Sequence, residues 1–296
     1  MKISGFSYVR NGFDYGVPFL EAYRSVLPVC DEFIVAVGDS TDGTREAIEK
    51  LQDNKIRIID TVWDTALRNN GKIFAQQSNT ALDAVSGDWA FHIQADEVIH
   101  EKDLPRIKKA IEDNDADKRV EGFILPFIHF WGGYDYIRTS RRVHPVEVRI
   151  FRNGLNVRAY RDSQGFRKFR DFQAYENGTE KGEKLRVKKI DAPIYHYTEV
   201  RGPKLKTKKA QTIGAFYEKT PPLVEQVMEQ YGYDRLEKFK GTHPRVMQEK
   251  VNAQDWKFVF DPKKSVWRTK DRIMQPIEDF IGFRIGEYKN YKLIKK

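Results

Sequence analysis

Gly87-Asp88-Trp89-Ala90-Phe91-His92-Ile93-Gln94-Ala95-Asp96-Glu97 is the stretch whose reading decides the fold. A glycine turn leads into an aromatic, β-branched run that reads as a buried strand, and the run ends in two carboxylates. Ligands of open α/β sheets collect outside the carboxyl ends of the strands. Asp96 and Glu97 are therefore expected where a metal or a reacting group would sit. The plain alternative is a strand that ends in acids ahead of a helix N-cap.

Upstream, Lys2 to Arg10 reads as a first strand closed by the turn pair Asn11-Gly12, and Pro18 to Leu27 has apolar residues at helical spacing. Glu32 to Val37 is a short apolar run of the kind buried in a parallel sheet. It opens into Gly38-Asp39-Ser40-Thr41-Asp42-Gly43-Thr44, small polar turn residues ahead of a helix from about Arg45 to Leu51. Such a loop offers free N–H groups and short hydroxyls to a ribose or pyrophosphate; capping of the helix by Asp42 or Thr44 explains it equally. Lys55 to Thr61 reads as a strand, Trp63 to Lys72 as a loop and Ile73 to Val85 as a helix. The order predicts an α/β fold with a doubly wound, mostly parallel sheet flanked by helices.

Downstream, Asp103 to Asp113 reads as a helix, Gly122 to Phe130 as a strand interrupted by Pro126, and Glu147 to Arg152 as a strand with one wet face. Pro193 suggests that Ile190 to Tyr197 is an edge strand, and Lys204 to Lys219 reads as a helix. Three parts are expected: 1–125 as a nucleotide-binding half, 126–215 as the second half of the same domain, and 216–296 as a basic, aromatic, helical or irregular extension.

The formal net charge of +9 is unevenly spread. Residues 1–120 hold 15 Lys and Arg against 21 Asp and Glu, whereas 121–296 hold 37 against 22. The first part suits a cation and the second suits phosphates, acidic glycans or anionic lipid heads. RNP, helix-turn-helix and zinc patterns are missing, so nucleic acid is not the expected partner. The single cysteine, Cys30, excludes a disulfide framework and reads as a core thiol. The N-terminus lacks the apolar stretch of a signal peptide, so the expected location is cytoplasmic, with possible peripheral contact of the basic C-terminal region with the inner face of a membrane.

The ordered set Val9-Arg10-Asn11, Ser40-Thr41-Asp42-Gly43-Thr44, Gln77-Ser78-Asn79, Gly87-Asp88-Trp89 and Gln94-Ala95-Asp96-Glu97 resembles the family 2 glycosyltransferases, whose fold is called GT-A. Two departures stand out. Val37 and Gly38 replace a pair of aspartates, with Asp39 one position on, and Gln94 replaces the first aspartate of the metal motif. The resemblance implies a nucleotide-diphosphate sugar as donor, contacted by Ser7, Val9, Arg10, Gly38, Asp39, Asp42, Gly71, Gln77, Gln94 and Ala95. It implies Mn2+ or Mg2+ on Asp96 and an inverting transfer to a glycan, lipid-linked or other hydroxyl acceptor. His196, as an imidazole, is a candidate to complete the metal shell or contact a phosphate, the alternative being a structural role between two tyrosines. The general base is expected at Asp162 or, second, Glu147. Lys204, Lys206, Lys208 and Lys209 are candidates to close over the diphosphate, the alternative being a solvated helix face. The competing reading is a GT-A-shaped nucleotide-binding or scaffolding protein without catalysis, motivated by Gln94 and Val37-Gly38.

Overall fold

A computed structural model describes residues 1–64, 67, 71–160, 165–202, 205 and 232–294. In chain order these form β1 (Ile3–Val9), α1 (Phe19–Val26), β2 (Glu32–Val37), α2 (Thr44–Glu49), β3 (Ile56–Asp60), α3 (Lys72–Asp83), β4 (Trp89–His92), β5 (Glu97–Ile99), α4 (Leu104–Asn114) and β6 (Gly122–Trp131). There follow β7 (Tyr136–Arg138), β8 (Val146–Arg152), β9 (Val157–Tyr160), β10 (Gly165–Lys168), α5 (Phe172–Glu176), β11 (Leu185–Lys189) and β12 (Ile194–Glu199). The described chain ends with β13 (Leu236–Lys238), α6 (Gln248–Asn252), α7 (Thr269–Ile281) and β14 (Tyr291–Leu293). The helix expected over 204–219, with Lys204, Lys206, Lys208 and Lys209, lies outside the described residues.

The parallel half of the sheet runs β3-β2-β1-β4, with β8 and then β6 continuing it antiparallel. Apolar residues alternate between its two faces. Phe33, Val35 and Val37 of β2 pack in one core with Phe19, Tyr23 and Val26 of α1 and with Leu104, Ile107 and Ile111 of α4. Ile34 and Ala36 pack in the other with Ala75, Ala81 and Leu82 of α3. This is the doubly wound architecture expected of the sequence. Cys30 is buried in the first core, and burial pushes its thiol up to about 12.

The registers align the strand ends. Val9 pairs with Val37, Val37 with Asp60, and Phe6 with His92. The loops that leave β1, β2, β3 and β4 therefore open along one edge, the edge on which an α/β sheet places its ligand. At the opposite end Gly87 is required by a close approach: a Cβ there would stand 2.5 Å from Ser4 Oγ and 2.7 Å from the Lys2 carbonyl oxygen.

Four expectations are corrected. The strand read over 87–97 stops at His92, its ladder to β1 closing where the Phe6 carbonyl takes the Ile93 N–H; a turn follows, and Glu97 opens β5. Strand β6 passes through Pro126 without a break. There it changes partners from β11 to β12, and the missing N–H falls at the change. Strand β8 has no wet face: Arg149 and Arg152 are buried, Arg152 lying over the Trp89 ring and donating to the Asn114 and Asp115 carbonyls at the end of α4. Strand β12 is interior, antiparallel to β5 and parallel to β6, and Pro193 only precedes it. The C-terminal region is joined to the same sheet, β13 to β7 and β14 to β11.

Arg149 occupies a bulge. Val148 pairs with Ile124 and Ile150 with Phe123, so Arg149 has no opposite number in β6. Its guanidinium donates to both Glu97 carboxylate oxygens, Nη2 to Oε1 at 2.7 Å and Nε to Oε2 at 3.0 Å. Both side chains are buried. Burial disfavours the Arg149 charge, and the Glu97 carboxylate more than offsets that and holds its pKa raised. Removing one partner would strand the other charge out of water. Arg149→Met is expected to cost about 3–5 kcal/mol of unfolding free energy in urea titrations, and Glu97→Met/Arg149→Met to recover part of it. A single-variant loss below about 1 kcal/mol would contradict this.

Candidate active site

The first half of the edge is built by two interlocked loops. The Asn11 N–H donates to Ser40 Oγ at 3.0 Å, and the Asn11 side-chain oxygen accepts from the Thr41 N–H at 2.8 Å. Asp42 accepts from the Asp14 N–H at 2.9 Å and from the Thr44 N–H and hydroxyl at 3.1 and 2.6 Å. Burial raises the Asp42 pKa, but these donors outweigh it and hold the carboxyl below its usual range. Asp42 thus fastens the loops to the start of α2, although the N-cap itself is Gly43 and carries no side-chain cap bond, so neither Asp42 nor Thr44 is the cap. Ser7 and Val9 are buried within β1, and Gln77 is buried with its amide oxygen accepting from Thr61 Oγ at 2.6 Å. Gly71 starts α3 with φ +67.

Asp39 reaches the edge. It accepts from Arg10 Nη2 at 2.9 Å and from the Trp63 N–H at 3.2 Å, and the Arg10 guanidinium stands 5.6 Å from the Trp63 ring centroid. Gly38 is packed beneath this indole: a Cβ there would lie 2.4 Å from Trp63 Nε1 and 2.7 Å from Cδ1. Trp63 thus fills the space into which a side chain at position 38 would project.

The second half of the edge is the turn after β4. The Glu97 carboxylate accepts from the Gln94 N–H at 3.1 Å, and the Asp96 carbonyl accepts from the Tyr197 N–H at 2.8 Å. Ala95 packs against the core, and Gln94 and Asp96 stay at the surface of the turn. Glu97 itself is turned inward to Arg149, so the two acids of the motif separate into different jobs. Asp96 Oδ1 lies 3.7 Å from His196 Nε2. These are the two residues that the sequence reading assigns to a metal, and β12 brings them together by pairing His196 with Glu97.

Two further histidines stand behind His196. His129 Nδ1 is 2.9 Å from His196 Nδ1, and His129 Nε2 is 2.8 Å from the His144 carbonyl oxygen. A carbonyl only accepts, so His129 Nε2 carries the hydrogen. Burial, reinforced by His196, pushes the His129 pKa down to about 3 and keeps the ring neutral. Its Nδ1 then accepts from His196 Nδ1–H, which assigns the Nε2 lone pair of His196 to the Asp96 side. The His144 ring, its pKa driven down by burial, is 4.7 Å from that of His129 and lines a cavity of about 340 Å³. Glu147, Arg142, Arg284 and Tyr288 line the same cavity. Asp162 lies outside the described residues.

Residues 19–120, which span α1 to α4 and carry the 38–44 loop, Trp63 and the Asp96 turn but not β1 or Arg10, match the family model Glycosyl transferase family 2. Over these residues the chain is similar to the family 2 glycosyltransferases, and its doubly wound sheet is GT-A-like. No curated protein matches the sequence. Similar solved structures include S. aureus TarS 1-349, 16% identical over 77% of this chain and 69% of that one, with a TM-score of 0.37. Mannosyltransferase PcManGT from Pyrobaculum calidifontis, in complex with GDP-Man and Mn2+, is 15% identical over 85% and 68%, with a TM-score of 0.41. Glucosyl-3-phosphoglycerate synthase from Mycobacterium tuberculosis, in complex with Mn2+, UDP and phosphoglyceric acid, is 17% identical over 43% of each chain, with a TM-score of 0.30.

Around this edge, sequence reasoning missed Trp63, Arg149, His129 and His144. Trp63 had a signal, since a glycine in place of an acid leaves room that a large neighbour can fill. Among the described residues no group of three or more His, Cys, Asp or Glu side chains is arranged to hold a metal. Asp96 and His196 alone are two donors, a number that suits a cation completed by substrate phosphates and water. The Gly38 contact yields a prediction. Gly38→Ala drives a methyl into Trp63 and is expected to lower stability by about 1–3 kcal/mol, with a shift in tryptophan emission; an unchanged midpoint and spectrum would contradict the packing.

Proposed function

We propose that the protein moves a sugar from a nucleotide-diphosphate sugar to a hydroxyl of a glycan or lipid-linked acceptor, with inversion at the sugar carbon and with Mn2+ or Mg2+ as cofactor. The observation that carries this reading is the pairing of Asp96 with His196 Nε2 on the same strand edge as the Arg10–Asp39–Trp63 group. Asp39, Arg10 and the main chain at Gly38 form the wall for the nucleoside, and Gln94 and Ala95 bring their main chain beneath the sugar phosphate. Asp96 and His196 would hold the cation, which when bound supplies positive charge opposite the leaving diphosphate. His129 keeps the His196 tautomer that leaves Nε2 as the ligating nitrogen.

The cavity walled by His144 and Glu147 is suited to the acceptor, because His144 connects it directly to His129 and His196. Glu147 is the described residue placed to take the acceptor proton, which requires hydrogen-bond reach of the attacking hydroxyl. Single displacement from the acceptor side, opposite the diphosphate, inverts the sugar carbon.

Thermal-shift and calorimetric titrations of UDP, GDP, CDP and TDP and their common sugars, with and without Mn2+, test the reading. One nucleotide is expected to raise the melting midpoint with metal present, and Asp96→Ala to abolish that rise; millimolar ligand reveals affinities of tens of micromolar. Binding that ignores metal and Asp96, with no sugar release, supports the scaffold reading prompted by Gln94 and by Trp63 over Gly38. Absence of any nucleotide binding overturns both.

A further inference from the structure

Helix α7 is packed with its polarity reversed. Its buried residues are Asp271, Gln275 and Glu278, spaced to lie on one face. Arg141 receives that face: its N–H donates to Gln275 Oε1 at 2.8 Å, and its guanidinium is 3.1 Å from Glu278 and 3.9 Å from Asp271. The apolar residues point away from the protein. Ile273 is 60% exposed and Phe280 91%, with Ile277 and Ile281 completing the outward stripe. Gly282, at φ +75, ends the helix, and Phe283 and Ile285 beyond it are also exposed. A soluble helix ordinarily buries such a stripe, and a contiguous exposed apolar patch marks an interaction surface.

Over the helix and the sequence beside it, taken together, cations outnumber acids: Lys263, Lys264, Arg268, Lys270, Arg272 and Lys289 are all exposed. The acids of the helix are engaged, Asp271 and Glu278 with Arg141, and Asp279 with Arg235. From this combination we infer that α7 and the turn after it dock the protein on a lipid surface bearing anionic headgroups, the apolar stripe entering the headgroup–acyl boundary and the cations resting on the headgroups. A second copy fits poorly, because a two-fold contact through this patch sets these cations against one another. Among the described residues no helix is long and apolar enough to cross a membrane, so the contact is with the surface. The inference is independent of the sugar-transfer reading.

Co-sedimentation of the full chain with phosphatidylcholine vesicles, plain or with about a third phosphatidylglycerol, tests it. Binding is expected to the anionic vesicles, to weaken as salt is raised, and to fall by about tenfold or more in Ile273→Asp/Phe280→Asp. Both side chains are solvent-exposed, so this variant should keep the wild-type melting midpoint, which shows that any loss of binding is local. Lys270→Ser/Arg272→Ser should weaken binding to the anionic vesicles and leave the small binding to plain vesicles unchanged. Failure of the wild type to bind anionic vesicles, or equal binding by the apolar double variant, overturns the inference. So does a wild-type dimer in analytical ultracentrifugation that the double variant converts to monomer, since the stripe would then be a protein interface.

Discussion

Arg149 reaches Glu97 from a bulge in β8 and so ties the antiparallel half of the sheet to the turn that follows the last parallel strand. The Glu97 carboxylate also accepts the Gln94 N–H, so the ion pair and the turn are one hydrogen-bonded unit. Asp96 sits between these fixed points and owes its position at the edge to them. A buried pair of this kind is no strong source of net stability, because the desolvation of two charges opposes their attraction. Its consequence here is geometric. With Glu97 held inward, the neighbouring acid faces the site and His196, brought alongside by β12, completes the pair.

Histidines extend the same logic outward from the edge. His196 is oriented by His129, and His129 by a main-chain carbonyl whose oxygen can only accept. Each ring along this line is neutral or held by a fixed acceptor, and the line ends at a cavity that carries Glu147 and several arginines. A site assembled in this way lies between the parallel half, which presents Asp39 and Arg10, and the antiparallel half, which presents the cavity. Reactants on the two sides would meet at Asp96.

The first half of the chain was readable because its signals are local. Apolar runs of β2 and β3, the loop at 38–44 and the helical spacing of α1 and α4 each depend on residues close in sequence. What escaped depends on partners far away. The apolar run from Trp89 continues past His92, but the strand stops there and the chain turns so that Glu97 can meet Arg149, and no feature of the run announces that. Glu147 to Arg152 alternates like a half-wet strand, yet its arginines are buried because Glu97 and the end of α4 lie opposite. Pro126 and Pro193 were read as interruption and edge; each instead falls where a neighbour changes or a strand has not begun. Asp96 and His196 could be named from sequence as candidates for a metal, but their 3.7 Å separation required the pairing of β5 with β12. The outward apolar face of α7 was invisible for the same reason.

The most direct test of the claim that the Glu97–Arg149 unit presents Asp96 to a nucleotide-bound cation is diffraction from crystals grown with Mn2+ and the nucleoside diphosphate that binds, with data collected at the manganese edge. The account predicts one anomalous peak in contact with Asp96 and His196 Nε2, with diphosphate oxygens completing its shell and the nucleoside against Asp39. A nucleotide bound at that edge with no manganese beside Asp96, or manganese held by other residues, would contradict it.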